Sequence, residues 1–229
     1  MAKRRQVAPK SHHDEAEDAF VTGVLQAGKW AEANQQLITV GVVILAIAVG
    51  ALLYFRSYRA NLTQQAATEL EQVYQSVSIN DLEGARSQLG TFLERFGGTP
   101  YEAEGRLLLG ELYLRDGSPE QAEAVLRPLG DSPREPIEFQ GAALLAAALE
   151  EDRQWSEAEQ VYLRIADRSD LDFQVRDALA AAARIRTTQG NPEGAVALYE
   201  RLLDSLDEGD PTRGLYEMRI EEIRTATNT

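Results

Sequence analysis

Cysteine is absent from the chain, and histidine occurs only at His12 and His13. The first absence removes disulfides, thiol nucleophiles, thiolate metal sites and a lipid-modified cysteine anchor. The second leaves everything past residue 13 without the side chain that most often moves protons near neutral pH, so neither a Ser-His-Asp nor a Cys-His set can be assembled there. Lysine stops at Lys29, and residues 60–229 carry sixteen Arg against thirty-two Asp plus Glu, a net charge of −16. A body this acidic repels phosphate backbones and anionic lipid heads, which argues against nucleic acid as a partner. No phosphate loop is present, because Gly28-Lys29 is followed by Trp30 where that motif needs a Ser or Thr. Carboxylate pairs such as Glu150-Glu151-Asp152 and Asp170 with Asp172 are the background of so acidic a chain, since sugar hydrolysis needs its pair in a deep cleft. His12-His13 beside Asp14-Glu15 lies in a tail without fixed geometry, and Asp207-Glu208-Gly209-Asp210 lacks the spacing of a calcium loop. The inventory predicts no enzyme, no cofactor and no metal site.

Long apolar runs are equally scarce, with one exception. From Leu37 to Phe55 no charge occurs, and Thr39 is the only strongly polar side chain apart from the tip of Tyr54. As a helix this run spans roughly 28 Å, against ~30 Å for the hydrocarbon core of a bilayer. It is longer than the ~7–15 residue apolar region of a signal peptide, and it has no polar face to suit a buried core helix. The run predicts a retained transmembrane helix over 37–55, embedded in membrane lipid. Trp30 precedes it, Tyr54, Phe55 and Tyr58 gather at its end, and Arg56 and Arg59 are placed to snorkel there. Ala46 and Gly50 form a small-xxx-small pair that would let two such helices approach. Ahead of the run, the composition of residues 1–13 predicts a flexible basic tail. Residues 14–36 are expected to form a juxtamembrane helix, with Phe20, Val21, Val24 and Leu25 on one face and acids in the first turns. Five Lys/Arg before the run against two just after it place the N-terminus in the cytoplasm; within the nearest ~15–20 residues only Lys29 stands against Arg56 and Arg59, which points the other way. Charge alone leaves both orientations open.

Residues 60–229 show helical spacing with almost no strand alternation. Paired helices are predicted at 61–78 and 82–96, 100–115 and 119–129, 137–151 and 155–167, 171–188 and 192–205, with a final helix over 211–225. The pairs are copies. Each second helix opens with a polar or turn residue followed four positions later by alanine: Asp81 to Ala85, Ser118 to Ala122, Gln154 to Ala158, Asn191 to Ala195. A larger residue follows at Leu89, Leu126, Tyr162 and Tyr199, to fill the next layer. Pro119 and Pro192 stand at the first helical position behind capping residues. Arginine without lysine predicts guanidinium–carboxylate bridges between the units. A fixed period of this length means stacked units that bury their faces on one another.

The period, the hairpin unit and the alanine position resemble the tetratricopeptide repeat. Leu109-Gly110-x-x-Tyr113 followed by Ala122 carries the likeness best, and Leu145-Ala146-x-x-Leu149 with Ala158 keeps part of it. The family's early Trp is missing, and each unit is two or three residues longer than the usual ~34. The resemblance implies an all-α chain: one N-terminal transmembrane helix, then a tetratricopeptide-like right-handed solenoid of helical hairpins over 60–229, about four pairs and a C-terminal capping helix. The order of parts also resembles the YfgM-like group, ancillary subunits of the SecYEG translocon in bacteria. Residues 18–59 and the tail Gly214-Leu-Tyr-Glu-Met-Arg-Ile-Glu-Glu-Ile223 carry that likeness. It implies a single-pass protein of the inner membrane with a cytoplasmic N-terminus and periplasmic repeats. Its implied partners are the SecYEG translocon, membrane-bound periplasmic folding factors (chaperones of protein export) and secreted clients.

In the tetratricopeptide family the first helices line a concave, partner-binding groove. Matching positions here are Glu104, Leu107, Glu111, Leu114 and Arg115 in the second unit. The third contributes Gln140, Ala143, Ala147, Glu150 and Glu151, and the fourth Asp177, Ala180, Arg184 and Thr187. Ala143, Ala147 and Ala180 either leave room for a partner's segment or pack against the last helix; both readings stand. The function expected is a tethered protein-binding module in protein translocation; a self-associating structural scaffold of another envelope complex is the alternative. The apolar run predicts that the purified full-length chain stays dispersed only with detergent or lipid, and sedimentation in plain buffer checks this.

Overall fold

The structure, a computed structural model, describes Trp30 and residues 32–227. The expected basic tail and most of the juxtamembrane helix lie outside the described residues. The chain divides into two compact units, residues 1–59 and residues 60–229.

Helix α1 runs Gln35–Ser78 without a break, where the sequence spacing suggested a span and a separate helix from 61. No proline occurs between Pro9 and Pro100, and no glycine between Gly50 and Gly84, so nothing stops the helix after the apolar run. In the first unit every apolar side chain described is exposed, and the stretch is long and apolar enough to cross a membrane. Thr39 donates its hydroxyl hydrogen to the carbonyl of Gln35 at 2.8 Å, which satisfies the one polar side chain of the run inside its own helix. At the far edge the Arg59 guanidinium lies 5.3 Å from the centre of the Phe55 ring.

The second unit is a series of helical hairpins. After α1 come α2 (Leu82–Phe96), α3 (Glu102–Arg115), α4 (Pro119–Gly130), α5 (Pro136–Glu151), α6 (Trp155–Arg168), α7 (Asp172–Thr188), α8 (Pro192–Asp204) and α9 (Arg213–Thr227). Each helix from α2 onward packs on the next, and α3 also touches α5. Ala85, Ala122, Ala158 and Ala195 have no exposed surface. Leu89 and Leu126 are fully buried and Tyr199 nearly so, as the layer argument requires. Tyr162 is only half-buried, because its phenol turns out to meet a carboxylate. The glycine of Leu109-Gly110 has a packing reason: a Cβ there would stand 2.5 Å from Leu126 Cγ. At Gly141 a Cβ would stand 2.6 Å from that of Leu129, so α5 rests backbone-close on α4.

The turns repeat as faithfully as the alanines. Asn80, Gly117, Arg153 and Gly190 all have left-handed backbone, at φ of 62°, 69°, 60° and 73°. The residue after each donates its N–H five positions back: Asp81 to Ser76, Ser118 to Tyr113, Gln154 to Leu149 and Asn191 to Arg186, at 2.7–2.9 Å. This ends one helix with its last carbonyls satisfied, and the same residue begins the next. Asp81 and Asn191 cap α2 and α8 by accepting from Gly84 and Gly194 N–H at 3.0 Å. Ser118 does not cap α4; its hydroxyl is 3.4 Å from Asp116 instead. Of the four left-handed positions Arg153 is the strained one, since a Cβ there crowds the backbone and has none of the local hydrogen bonding that suits Asn. We expect Arg153→Gly to raise stability in urea unfolding by about 0.5–1 kcal/mol and Gly190→Ala to lower it by about 1 kcal/mol.

Candidate functional site

The face predicted to bind a partner is made by α3, α5 and α7, and none of its positions is fully buried. On α3, Leu107 and Leu114 rest half-buried on the larger core cluster, Glu111 and Arg115 are exposed, and Glu104 accepts a 2.7 Å hydrogen bond from the Tyr74 phenol of α1. On α5, Gln140, Ala143 and Glu151 are exposed while Ala147 and Glu150 are half-buried. On α7, Asp177, Arg184 and Thr187 are exposed and Ala180 is half-buried.

Two clefts gather part of this set. The first, about 340 Å³, lies between α5 and α7 above α6. Gln140, Ala143 and Asp177 line it, together with Phe139, Tyr162, Ile165 and Phe173. The second, about 580 Å³, holds Asp177, Ala180, Arg184 and Thr187 on α7 and is walled by Tyr199 of α8 and by Arg219, Glu222 and Ile223 of α9. The last helix therefore stands beside Ala180, whereas Ala143 lines a cleft that the last helix does not reach. Glu104, Leu107, Glu111, Leu114 and Arg115 line neither cleft.

Between the clefts sits a polar knot. Glu150 accepts from the Tyr162 phenol at 2.8 Å and from both terminal nitrogens of Arg184 at 2.7 and 2.9 Å. Sequence spacing placed Glu150 and Arg184 on the face but not Tyr162, which arrives from the second helix of its hairpin. Burial, then the bond to Glu150, pushes the Tyr162 phenol above its ordinary range. Burial, then the bond to Glu104, raises Tyr74 from 10.0 to about 12. Phe139 and Phe173 were also outside the expected set. Phe173 had a visible signal: the stripe Asp177–Ala180–Arg184, extended one turn toward the helix start, reaches it.

Chemically the face offers apolar surface, amides, a bidentate ion pair and carboxylates. Near residue 210 the acidic turn is closed by Asp210, which accepts from the Thr212 N–H at 2.7 Å and the Thr212 hydroxyl at 2.5 Å; those bonds lower its pKa. Among the described residues no group of three or more His, Asp or Glu is disposed to hold a metal ion.

The two tyrosines give a pH signature. The fold retains their protons above the point at which an unfolded chain releases them, so their contribution is complete below pH 10 and is lost as pH rises above 10, for Tyr74 toward about 12. We expect Tyr74→Phe with Tyr162→Phe to flatten the alkaline fall in melting temperature, with phenolate absorbance as the check on titration.

The family profile described as "Tetratricopeptide repeat-like domain" matches residues 28–225. No curated protein matches the chain in sequence. Among solved structures, the chain is similar to putative kinesin light chain TPR-like repeats from Podosopora anserina, at 16% identity and a TM-score of 0.56, covering 72% of this chain and 88% of that one. A point variant of the same repeats gives 16% identity and a TM-score of 0.55 over the same shares. At this identity the likeness speaks for the fold alone, and it agrees with the all-α hairpin solenoid expected from the period. Profile, fold and the four alanine-centred turns agree: the chain belongs to the tetratricopeptide repeat-like domain family.

Proposed function

We propose that this chain is a membrane-anchored protein-interaction module of protein export. The observation that carries the reading is an open, partly apolar face on a hairpin stack in a chain that also carries one exposed apolar helix. Residues past His13 hold no His or Cys, so the face has shape and charge to offer rather than a nucleophile. Tetratricopeptide-like domains bind protein partners in general, which fits such a face. The division into a tail at 1–13, a juxtamembrane helix at 14–36, a span at 37–55 and a repeat domain at 60–229 belongs to this proposal. So do the groove residues on α3, α5 and α7.

The finer reading follows the YfgM-like resemblance. The span holds the chain in the bacterial inner membrane, the N-terminus faces the cytoplasm and the repeats face the periplasm. There the face contacts the SecYEG translocon, membrane-bound periplasmic chaperones and secreted clients. A scaffold that self-associates is the second reading, favoured by Gly50 and its neighbour Ala46 on the exposed span, where an added Cβ at Gly50 meets no atom within 4 Å.

Two measurements test this. A C-terminal reporter active only outside the cytoplasm is expected to be active; activity of a cytoplasmic reporter instead removes the export role. A photo-cross-linking residue at Glu111 or Gln140 in intact cells is expected to trap translocon subunits and envelope chaperones. Cross-links confined to second copies of the chain, with a larger species on sizing in detergent, would favour the scaffold.

A further inference from the structure

The cleft between α5 and α7 is chemically lopsided. Its walls are aromatic and aliphatic, and Phe173 stands at the edge with 52% of its surface in water. Only one of its lining residues is ionised, and that one is Asp177. The Asp177 side chain is 75% exposed, and its nearest cation, Arg176 Nε, comes no closer than 4.0 Å. The neighbouring Glu150 is already engaged by Arg184 and Tyr162, so its charge is spent inside the protein. Gln140 and Gln174 flank the cleft; the Gln174 carbonyl accepts from the Ser169 hydroxyl at 2.6 Å, which leaves its NH2 group to donate.

We propose that this cleft binds an extended polypeptide segment through one bulky apolar side chain, with a Lys or Arg beside it meeting Asp177. The proposal rests on the reading of the chain as a protein-interaction module and specifies the segment it takes. The apolar side chain enters against Phe173, which is exposed and loses water on contact, with the buried Phe139 and Ile165 behind it. The cation meets the one loosely paired carboxylate at the mouth, within a body of net charge −16. The amides of Gln140 and Gln174 face the segment's backbone. The volume, about 340 Å³, is at the lower end for a binding pocket and suits a single side chain. An acyl chain would also suit the walls, but its carboxylate or phosphate head would stand against Asp177.

The test uses the full chain in lipid nanodiscs and fluorescein-labelled Gly/Ser peptides with a central Arg-Phe, Glu-Phe or Arg-Ser pair, read by fluorescence anisotropy. Arg-Phe is expected to bind tightest, each of the others roughly tenfold more weakly. Asp177→Lys should reverse the order of Arg-Phe and Glu-Phe. Ala143→Leu, which fills the cleft, should weaken both Phe peptides. Both positions are exposed, so helical content and melting temperature should match the parent; Phe173→Ser is the second variant if Ala143→Leu does not fold. Equal binding of the three peptides, or Phe-peptide binding that survives the filled cleft, overturns the proposal. Competition by oleate stronger than by unlabelled Arg-Phe also overturns it, in favour of an acyl ligand. If cross-links to export proteins persist in cells without this peptide selectivity, the module reading stands and the cleft proposal falls. If the selectivity holds without such cross-links, the cleft proposal stands and the export reading falls.

Discussion

The spacing between the helices of each hairpin is what the rest of the stack depends on. Ala85, Ala122, Ala158 and Ala195 lie in the crossings with no surface exposed, and Gly110 and Gly141 leave no room for even one more carbon. A small residue at a crossing lets two backbones come close, and the bulky residue a turn later fills what remains. Because each hairpin then presents the same face to the next, one local rule, repeated, sets where α3, α5 and α7 stand. The cleft exists because α6 lies under both α5 and α7 and brings Tyr162 and Ile165 to its floor.

Arginine ties the stack from outside. Arg127 of α4 meets Glu157 of α6 at 2.6 Å, Arg186 of α7 meets Glu159 of α6 at 2.8 Å, and Arg201 of α8 meets Asp167 of α6 at 2.7 Å. Together with Arg184 and Glu150, these are the bridges between units that an arginine-only body suggested. The Arg127–Glu157 and Arg201–Asp167 pairs are substantially exposed and add little to stability. The carboxylates outnumber the guanidiniums two to one, so the surplus negative charge stays on the surface, Asp177 at the cleft mouth included.

Helix positions were legible because the turn chemistry is local. Gly117 and Gly190 supply left-handed backbone, Pro119 and Pro192 suit the first turn of a helix, and from residue 78 onward the predicted ends fall within two residues of those observed, whereas the start expected at 61 lies inside the helix Gln35–Ser78. Arg153 shows the limit of residue type as a guide: it takes the same backbone as the glycines because the repeat demands it. Ser118 shows another, since it occupies the capping position of α4 while its hydroxyl turns to Asp116. The candidate site, taken as the residues that share the face and its clefts, was legible in part. Counting along first helices found Gln140, Ala143, Asp177, Glu150 and Arg184, because those share a stripe. It omitted Phe139, at the edge of the stripe, and Tyr162, from the other helix of the hairpin, because a single-helix count has no view across a crossing.

Sequence alone determined the helical class, the repeat, the turns, the one apolar run and the absence of His and Cys past residue 13. Each of these is set by residues within a few positions of one another or by plain inventory. Tertiary structure decided which side chains from different helices share a cavity: that Glu150 is claimed by Tyr162 and Arg184, that Asp177 is left nearly free, and that α9 stands beside Ala180 but not Ala143. Those outcomes depend on distances between residues about 12 to 40 positions apart, which no local propensity encodes.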